Sequence, residues 1–300
     1  MKVAVTGASG LIGSALVPHL RSVGHEVVTL VRRPATSTWE ITWDPKTGTV
    51  DLDALAGVDG VVHLAGAGVG DHRWTDDYKR EILDSRVDGT HAIARAMAAL
   101  DPRPRVLVSA SAIGFYGDTA DRIVDESSPA GTGFLANVVQ AWESAAYPAV
   151  DAGIRVVHPR TGLVVASGGG AWARMFPLFK LGLGGKLGPG NQYWSWISLR
   201  DEVCALQFLL EQDHLTGPVN LTGPVPVTNA EVTAVMGKVL GRPTVLPAPA
   251  FALKAVLGEF STEVLGSSRV VPTVLTNAQF GFQDSSIESA VRSALASPKP

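Results

Sequence analysis

The chain opens with Lys2-Val3-Ala4-Val5-Thr6-Gly7-Ala8-Ser9-Gly10-Leu11-Ile12-Gly13, and this segment determines the architecture. The apolar run from Lys2 to Thr6 predicts a short buried strand. From Leu11 to Val23 the apolar residues have helical spacing, and Gly24 follows where a C-cap glycine belongs. Because Glu26 to Val31 predicts another strand, the segment starts a strand–loop–helix–strand unit.

The same alternation continues through the first half of the chain. Short apolar runs predict strands, and longer amphipathic segments between them predict helices. The further strands and helices are expected, in chain order, at Gly60 to Leu64, Asp76 to Leu100, Arg105 to Ala110, Leu135 to Ala152 and Arg155 to Pro159. Strands that alternate with helices are joined by crossovers and form a parallel sheet. The sequence therefore predicts an α/β protein with a doubly wound (Rossmann) parallel sheet.

The composition changes near residue 165, after which glycine-rich loops and proline-separated helices predominate. We expect helices in this part at Glu202 to Glu211, Asn229 to Leu240 and Ala250 to Leu257. Asp201 is the expected N-cap of the first of them. We predict a sheet domain at 1–165 and a smaller, mostly helical substrate lobe at 166–300. The helix near 202–211 is expected to return to the sheet domain.

Bulk properties exclude several classes of protein. The 300 residues carry a net charge of −3 and no dense run of Lys and Arg, so we expect no nucleic-acid or membrane partner. One cysteine, Cys204, cannot form an intramolecular disulfide, and the histidines show no ligand spacing, so no metal site is expected. The apolar start is too short for a signal peptide, and we expect a cytoplasmic protein. The sequence does not set the oligomeric state.

The glycines of the first loop each have a physical task. Gly7 permits a sharp turn, Gly10 lets the backbone approach a pyrophosphate, and Gly13 lets the helix pack close to the strand. The helix N-terminus adds free N–H groups and a partial positive charge. The residues predicted to bind a dinucleotide are Gly7, Ser9, Gly10, Leu11, Ile12 and Gly13. The alternative is a tight turn without a ligand.

Two arginines, Arg32 and Arg33, follow the second strand. Enzymes that bind NAD commonly place Asp or Glu there for the ribose 2′-hydroxyl. A guanidinium can instead hold a 2′-phosphate through paired charge-assisted hydrogen bonds. The sequence therefore favours NADP(H) as the cofactor of the domain at 1–165, against the alternative of two solvated surface arginines.

The first loop, followed by Leu64-Ala65-Gly66, resembles that of the extended short-chain dehydrogenase/reductases. Nearly the whole chain is similar to their epimerase-family subgroup 39U, the YfcH-like proteins, which carry a C-terminal domain of unknown function. The motifs that carry this resemblance are Ser109-Ala110-Ser111-Ala112-Ile113-Gly114-Phe115-Tyr116-Gly117, Trp142-Glu143, Arg160-Thr161-Gly162-Leu163-Val164, Gly182-Leu183-Gly184-Gly185, Trp196-Ile197, Pro247-Ala248-Pro249-Ala250-Phe251, Gly258-Glu259, and Val271-Pro272 through Gly281-Phe282.

The resemblance implies four catalytic residues, of which only Ser111 has a clear counterpart. In the superfamily, Ser orients the substrate, Tyr transfers a proton, Lys lowers the pKa of that Tyr, and Asn supports them. If Glu143 is the Glu that often follows the Lys by four residues, Leu135 stands at the Tyr position and Val139 at the Lys position. Arg86 replaces the Asn. Catalysis by the usual superfamily route is therefore not expected.

Further residues are expected to line the cofactor cleft. Arg86 is predicted to contact a phosphate or the substrate, and Glu81 to pair with it or touch the cofactor; the alternative is a solvated helix face. Tyr116 is a candidate substitute acid, although such a Tyr more often packs against the cofactor. His63 is expected to be a packed or hydrogen-bonded group and not a base. The remaining predicted cofactor contacts are Leu64, Ala65, Gly66 and Arg160.

The stretch from Gln192 to Ser198 departs from the pattern of nucleotide-sugar enzymes that the resemblance implies. Trp194 stands where those enzymes place an Arg, and an indole cannot neutralise a pyrophosphate. We therefore expect an unidentified small-molecule substrate that is not a nucleotide sugar. Trp172, Trp194 and Trp196 suggest a flatter or more apolar ligand, or else they pack the lobes together.

Two functions stay open at this point. The first is an NADP(H)-dependent, epimerase-like oxidoreductase in which Ser111 orients the substrate and water or an unassigned group supplies the proton. The second is an NADP(H)-binding protein without turnover, which senses redox state or binds a partner. The complete substrate lobe favours the first function, which we prefer, and the replaced tetrad favours the second.

Overall fold

A computed structural model of the chain describes residues 1–296. The strands, numbered in chain order, are β1 (Lys2–Thr6), β2 (Glu26–Val31), β3 (Glu40–Asp44), β4 (Thr49–Val50), β5 (Gly60–His63), β6 (Val106–Ser109), β7 (Ser111–Ala112), β8 (Arg155–Thr161), β9 (Leu163–Val165), β10 (Tyr193–Trp194), β11 (Trp196–Ser198), β12 (Gly217–Leu221) and β13 (Val227–Thr228). The helices are α1 (Leu11–Ser22), α2 (Leu52–Leu55), α3 (Asp76–Ala99), α4 (Phe134–Ser144), α5 (Tyr147–Asp151), α6 (Gly170–Lys180), α7 (Leu199–Glu211), α8 (Asn229–Leu240), α9 (Ala250–Leu257), α10 (Ser261–Leu265), α11 (Thr273–Asn277) and α12 (Ile287–Ala296).

The main sheet has nine strands within the described residues, in the order β12-β8-β6-β5-β1-β2-β3-β4, with β7 beside β8. Strand β1 pairs in parallel with β2 on one side and with β5 on the other, where Thr6 faces His63. The strand order therefore reverses between β1 and β5, and in such sheets ligands bind at the carboxyl ends of the strands there. The predicted doubly wound α/β fold is confirmed.

Helices cover both faces of this sheet. On one face α1 and α7 pack together, and Leu16 and Leu206 belong to a shared apolar core with β1, β6 and β12. On the other face α3 packs against α5, and Ile93 and Met97 meet the opposite side of the same strands. Because the strands are buried on both faces, runs such as Val106-Leu107-Val108 contain no polar alternation.

The edge strands β3 and β4 were not predicted. Ile41 and Trp43 are buried while Thr42 and Asp44 are exposed, so the period-two signal of a half-buried strand was present in the sequence. Strand β3 pairs with β2, and β4 folds back on β3 in antiparallel orientation. This extension places Glu40 opposite Thr29 of β2.

Two predicted helices have different bounds. The single helix expected from Leu135 to Ala152 is divided into α4 and α5. Pro148 explains the break, because it has no N–H for the helical hydrogen bond to the carbonyl four residues earlier. The N-cap of α7 is Ser198, whose Oγ accepts from the Asp201 amide, and not Asp201 as predicted.

The Asp201 carboxylate has another task. It is buried and accepts the backbone N–H groups of Gln283 (2.8 Å) and Asp284 (3.0 Å). Burial raises the pKa of this carboxyl group, while the two amide donors and Ser198 act in the opposite direction. The residue therefore connects α7 to the segment that precedes α12.

Part of the chain beyond residue 165 returns to the main sheet. Strand β12 completes one edge of the sheet, and α8 and α9 have the predicted bounds. The division at residue 165 stays a prediction, and positions 297–300 of the predicted lobe lie outside the described residues.

The three tryptophans considered as ligand contacts belong to the core of this lobe. Trp172 and Trp196 are each 1% exposed and Trp194 is 7% exposed, in one apolar cluster with Phe176 and Met236. The packing alternative for these side chains therefore agrees with the structure. No helix in residues 1–296 combines the length and the apolar character that crossing a membrane requires. The cytoplasmic location stays a prediction.

Candidate cofactor and substrate site

The glycines of the loop between β1 and α1 occupy positions that a side chain would disturb. Gly7 has φ +66°, and a Cβ there would lie 2.9 Å from the carbonyl carbon of Leu64. A Cβ on Gly13 would overlap the carbonyl oxygen of Gly7. At Gly7 the loop is therefore in close contact with the residues after β5. At Gly13 the helix lies close to the loop, as predicted for this glycine.

The first turn of α1 lies at this loop. Gly10 is its N-cap and offers no side chain, so the amides of Leu11 and Ile12 have no capping acceptor. Ser9 and Gly10 are exposed, and Leu11 is half-buried. Uncapped amides beside exposed glycine backbone suit a diphosphate, and the loop fits a dinucleotide.

Thr6 and His63 fix the opposite side of the crevice. Thr6 Oγ1 accepts from the amides of Leu64 (3.0 Å) and Ala65 (3.2 Å), so its own proton goes to His63 Nδ1, 2.8 Å away. Complete burial lowers the pKa of His63 to about 4, and the ring is neutral with its proton on Nε2. His63 is thus packed and hydrogen-bonded, and Thr6 holds the segment predicted to contact the cofactor.

The two arginines after β2 have different surroundings. Arg33 donates to both carboxylate oxygens of Glu40, at 2.8 and 2.6 Å. Hydrogen bonds from Arg33 and then from Thr36 lower the pKa of Glu40 to about 2. Arg32 is exposed and makes no side-chain hydrogen bond within residues 1–296. Arg32 is therefore the guanidinium that is free for a 2′-phosphate, whereas Arg33 has a carboxylate partner.

Arg86 lies behind the loop that follows β5. Its Nη1 donates to the carbonyls of Ala67 (2.9 Å) and Ile82 (3.0 Å), and its guanidinium lies 4.9 Å from the centre of the Trp142 ring. Burial lowers the pKa of Arg86 to about 10. A Cβ on Gly66 would lie 3.4 Å from Arg86 Cγ, so the two residues are adjacent.

Glu81 does not join this group. Its side chain is exposed on α3, and it forms no ion pair with Arg86 in the described part of the chain. Arg86 points to backbone carbonyls instead, and contact of Glu81 with the cofactor, the other alternative, stays a prediction.

Ser111 belongs to a buried polar network. Its hydroxyl donates to Glu143 Oε1 at 2.6 Å. Arg160 donates to the same carboxylate through Nε and Nη2, at 2.8 Å each, and through Nη1 to the Tyr116 hydroxyl at 3.0 Å. Tyr116 in turn donates to Asn220 Oδ1 at 2.8 Å. Nε, Nη1 and Nη2 of Arg160 therefore each donate to an acceptor within the protein.

This network determines the protonation of its members. Burial opposes ionisation of Glu143, but the hydrogen bonds from Arg160 and Ser111 outweigh it and lower the pKa of the carboxyl group. Burial raises the pKa of Tyr116 despite the nearby guanidinium. Tyr116 is 1% exposed and its proton is held by Asn220, which disfavours the role of substitute acid. Arg160 lies 3.4 Å from the centre of the Phe115 ring, inside the fold rather than at the open cleft.

The two residues that the resemblance aligns with the superfamily's Tyr and Lys, Leu135 and Val139, have apolar side chains. Val139 is buried, and Leu135 lies against Gly114, where a Cβ would be 3.5 Å from Leu135 Cβ. Gly114 is three residues beyond Ser111, so α4 and this segment meet as the resemblance implies. Neither aliphatic side chain can transfer a proton.

A cavity of about 300 Å³ opens beside these residues. Its walls include Gly114 and Leu135, together with Trp74 and Phe134. Carboxyl groups of Asp118, Glu259 and Glu263 complete it. A pocket of this volume is at the lower end of the range for small-molecule sites.

Another buried carboxyl group, Glu202 on α7, contacts Thr161, the residue that follows Arg160 in the chain. Thr161 Oγ1 donates to Glu202 Oε1 at 2.8 Å, and Oε2 has no partner in residues 1–296. Burial raises the pKa of Glu202 to about 8, so the group is protonated at neutral pH. No group of three or more His, Cys, Asp or Glu in the described residues could hold a metal ion.

Three functional contacts were missed from the sequence. Glu40 holds Arg33, Glu143 holds Ser111, and Asn220 holds Tyr116. The alternation around Ile41 could have placed Glu40 on an edge strand. No local signal could have placed Asn220, which is 104 residues from Tyr116.

The comparison with protein families agrees with this geometry. The NAD dependent epimerase/dehydratase family matches residues 3–221. This protein belongs to that family. A second family, a domain of unknown function (DUF1731), matches residues 248–294. The family therefore covers the sheet and the polar network, and DUF1731 covers the segment from α9 to α12.

Several relatives of this epimerase-family chain are similar over its whole length. An epimerase family protein of Mycobacterium bovis is 48% identical over 297 residues, which are 99% of this chain and 98% of the relative. The crystal structure of the human epimerase family protein SDR39U1, solved with NADPH, has a TM-score of 0.90 at 32% identity and covers 99% of this chain and 100% of the human chain. A Corynebacterium glutamicum structure described as a nucleoside-diphosphate sugar epimerase has a TM-score of 0.82 at 35% identity and covers 98% of this chain but 58% of its own.

Proposed function

We propose that this epimerase-family protein binds NADP(H) and uses it as an oxidoreductase on a small molecule held in the cavity that begins at Gly114, three residues beyond Ser111. The observation that carries the proposal is the cavity itself. It is lined by Gly114 and Leu135, the latter at the position that holds the catalytic Tyr in the superfamily. A domain that only binds a nucleotide does not need a second pocket for a small molecule.

The cofactor would be held by the residues whose geometry fits it. The uncapped start of α1 and the glycine loop suit the diphosphate, and Arg32 suits the 2′-phosphate. The crystal structure of human SDR39U1 with NADPH supports this choice. When bound, NADP(H) would supply or accept a hydride. Leu64, Ala65 and Gly66 form the opposite side of the crevice, held by Thr6.

Ser111 would orient the substrate as a hydrogen-bond acceptor. Its only proton is donated to the ionised Glu143, so its lone pairs face any further partner. A substrate hydroxyl can donate to this oxygen, whereas a carbonyl cannot accept from it. We therefore infer that the hydroxyl form of the substrate is the one recognised. Its carbon would give a hydride to bound NADP⁺, and water would accept the hydroxyl proton, which leaves the carbonyl product.

A second candidate function has its own support. Leu135 and Val139 cannot move protons, and a positioned acid or base commonly contributes about 10²–10⁴-fold in rate. The polar network also engages Ser111, Tyr116 and Arg160 with protein partners. A protein that binds NADP(H) without turnover, as a sensor or partner-binding module, is consistent with that engagement.

One assay separates the two functions. Wild-type protein is incubated with NADPH and a panel of carbonyl compounds, and with NADP⁺ and the matching alcohols, while nicotinamide absorbance is followed. Ser111→Ala should abolish turnover, and Ser144→Ala, an exposed serine on the same helix as Glu143, should leave it unchanged. Tight NADPH binding with no turnover in either direction would support the non-catalytic function. Turnover that persists in Ser111→Ala would remove Ser111 from the mechanism.

A further inference from the structure

The cavity lined by Gly114 and Leu135 has walls from two distant parts of the chain. One wall belongs to the sheet domain and includes Gly114, Phe134 and Leu135. The other belongs to the segment 258–268, which lies inside the domain of unknown function at residues 248–294. We call 258–268 the wall segment. It contributes five of the cavity's lining residues, which are Glu259, Thr262, Glu263, Gly266 and Ser268.

The wall segment is seated against the sheet domain by specific contacts. The ring of Phe260 lies 5.4 Å from that of Trp74, and it also approaches Gly70. Lys79 on α3 donates to Glu259 at 2.8 Å. These contacts fix the segment beside the N-terminal ends of α3 and α4. Its side chains therefore have defined positions in the cavity.

The apolar part of the cavity is aromatic. Trp74 and Phe134 meet edge to face, with ring centres 5.0 Å apart, and Leu135 continues their surface. Such a surface packs against a flat, apolar group. The volume of about 300 Å³ suits a molecule built on one ring.

The charged part of the cavity is acidic. Asp118, Glu259 and Glu263 line it, and no Arg, Lys or His does so among the described residues. Lys79 neutralises Glu259 from outside the cavity, which leaves Asp118 and Glu263 without a cationic partner among residues 1–296. Desolvation and the charges of Asp118 and Glu259 raise the pKa of Glu263, as expected for carboxyl groups that face a shared space. A phosphate entering this space would meet like charge and no donor fork.

We propose that the wall segment is the substrate-recognition element of the domain of unknown function, and that the cavity accepts a neutral or cationic ring compound and rejects phosphate-bearing ones. The proposal rests on the proposed function only in taking this cavity as the substrate site. It extends that function by assigning a role to residues 258–268 and a chemical class to the ligand. Asp118 and Glu263 would favour a cationic or hydrogen-bond-donating substituent, and Trp74 and Phe134 would hold the ring.

Three small ring compounds test this proposal by binding alone. Benzyltrimethylammonium, benzyl alcohol and phenyl phosphate share a ring and differ in charge. Their dissociation constants are measured by ligand-detected NMR on the full-length protein saturated with NADP⁺, which keeps phenyl phosphate out of the diphosphate loop. We expect the cation and the alcohol to bind at least tenfold more tightly than phenyl phosphate. Equal affinities, preferred binding of phenyl phosphate, or no binding of the cation and the alcohol at millimolar concentration would overturn the proposal.

Matched charge variants locate the effect. Glu263→Lys should weaken the cation at least fivefold and strengthen phenyl phosphate. Glu26→Lys makes the same change at an exposed position where β2 begins, and it should leave all three affinities as in the wild type. If both variants act equally, the selectivity comes from net charge and the proposal fails. Selective probe binding without any turnover would instead remove the proposed oxidoreductase function and leave the recognition role intact.

Discussion

Ser111 donates its hydroxyl proton to Glu143 across 2.6 Å, and the carboxylate that receives it is gripped on both oxygens by Arg160. In the superfamily this region surrounds a Tyr and a Lys. The resemblance places Leu135 and Val139 at those two positions, and the largely buried ion pair of Glu143 and Arg160 carries the polar character of the region. Neither member of the pair exchanges protons readily at neutral pH, because the hydrogen bonds between them outweigh burial and lower the pKa of Glu143 while raising that of Arg160.

The first prediction concerns the stability of this ion pair. Glu143→Ala leaves the Arg160 guanidinium buried and unpaired, so the free energy of unfolding should fall by about 3–5 kcal/mol. The double variant Glu143→Ala/Arg160→Met removes both charges and should recover much of that loss. Urea denaturation followed by circular dichroism measures both. A double variant no more stable than Glu143→Ala would contradict this account.

The second prediction separates the two arginines after β2. Arg32→Ala should weaken NADPH by about tenfold or more and leave NADH nearly unchanged, because only NADPH carries the 2′-phosphate. Arg33→Ala should have a smaller effect, since Arg33 is paired with Glu40. Isothermal titration calorimetry with both nucleotides measures this. Equal losses of NADPH and NADH in Arg32→Ala would contradict the assignment.

The third prediction tests the close approach of loop and helix. The Cβ of Gly13→Ala would overlap the Gly7 carbonyl oxygen, so the loop must shift. We expect a loss of about 1–3 kcal/mol in stability and at least tenfold weaker NADPH binding. Gly281→Ala is the control, because its Cβ would have no neighbour within 4 Å. Unchanged NADPH affinity in Gly13→Ala would show that the loop does not bind the diphosphate.

The fourth prediction is a pH dependence caused by Glu202. Its pKa is raised to about 8 in the folded protein, so it stabilises the fold when protonated, and this contribution is lost as pH rises from 4.5 towards 8. Between pH 6.5 and pH 8 the wild type should lose about 2 kcal/mol more than Glu202→Gln. Glu211→Gln, at the exposed end of the same helix, should follow the wild type. Parallel pH profiles for the wild type and Glu202→Gln would refute the prediction.

Local patterns carried most of the fold. The glycine spacing after β1, the apolar runs of β5 and β6, and the amphipathic length of α3 are each set by nearby residues, and they predicted the doubly wound sheet. The errors have local causes too. Pro148 interrupts an otherwise helical pattern, and Asp201 fits the residue preference of an N-cap, although Ser198 holds that position.

The site was harder to predict because its contacts cross long stretches of chain. Ser111 and Arg160 were identified by motif, but their shared partner Glu143 was treated only as a marker for the missing Lys. Tyr116 was predicted as a candidate acid because it is near Ser111 in sequence, and its bond to Asn220 depends on β12 lying beside β8. Only the assembled sheet brings such residues together.

The bonds from Gln283 and Asp284 to Asp201 limit how the protein can move. A rigid rotation of the whole C-terminal region away from the sheet would have to detach two amides from a buried carboxylate. The first half of the wall segment is held by the ion pair between Lys79 and the exposed Glu259 and by the contact of Phe260 with Trp74, whereas hydrogen bonds at Ser267 and Ser268 fix its second half. Entry to the cavity should therefore be a local displacement of the first few residues of this segment, with Ser267 and α12 acting as fixed anchors.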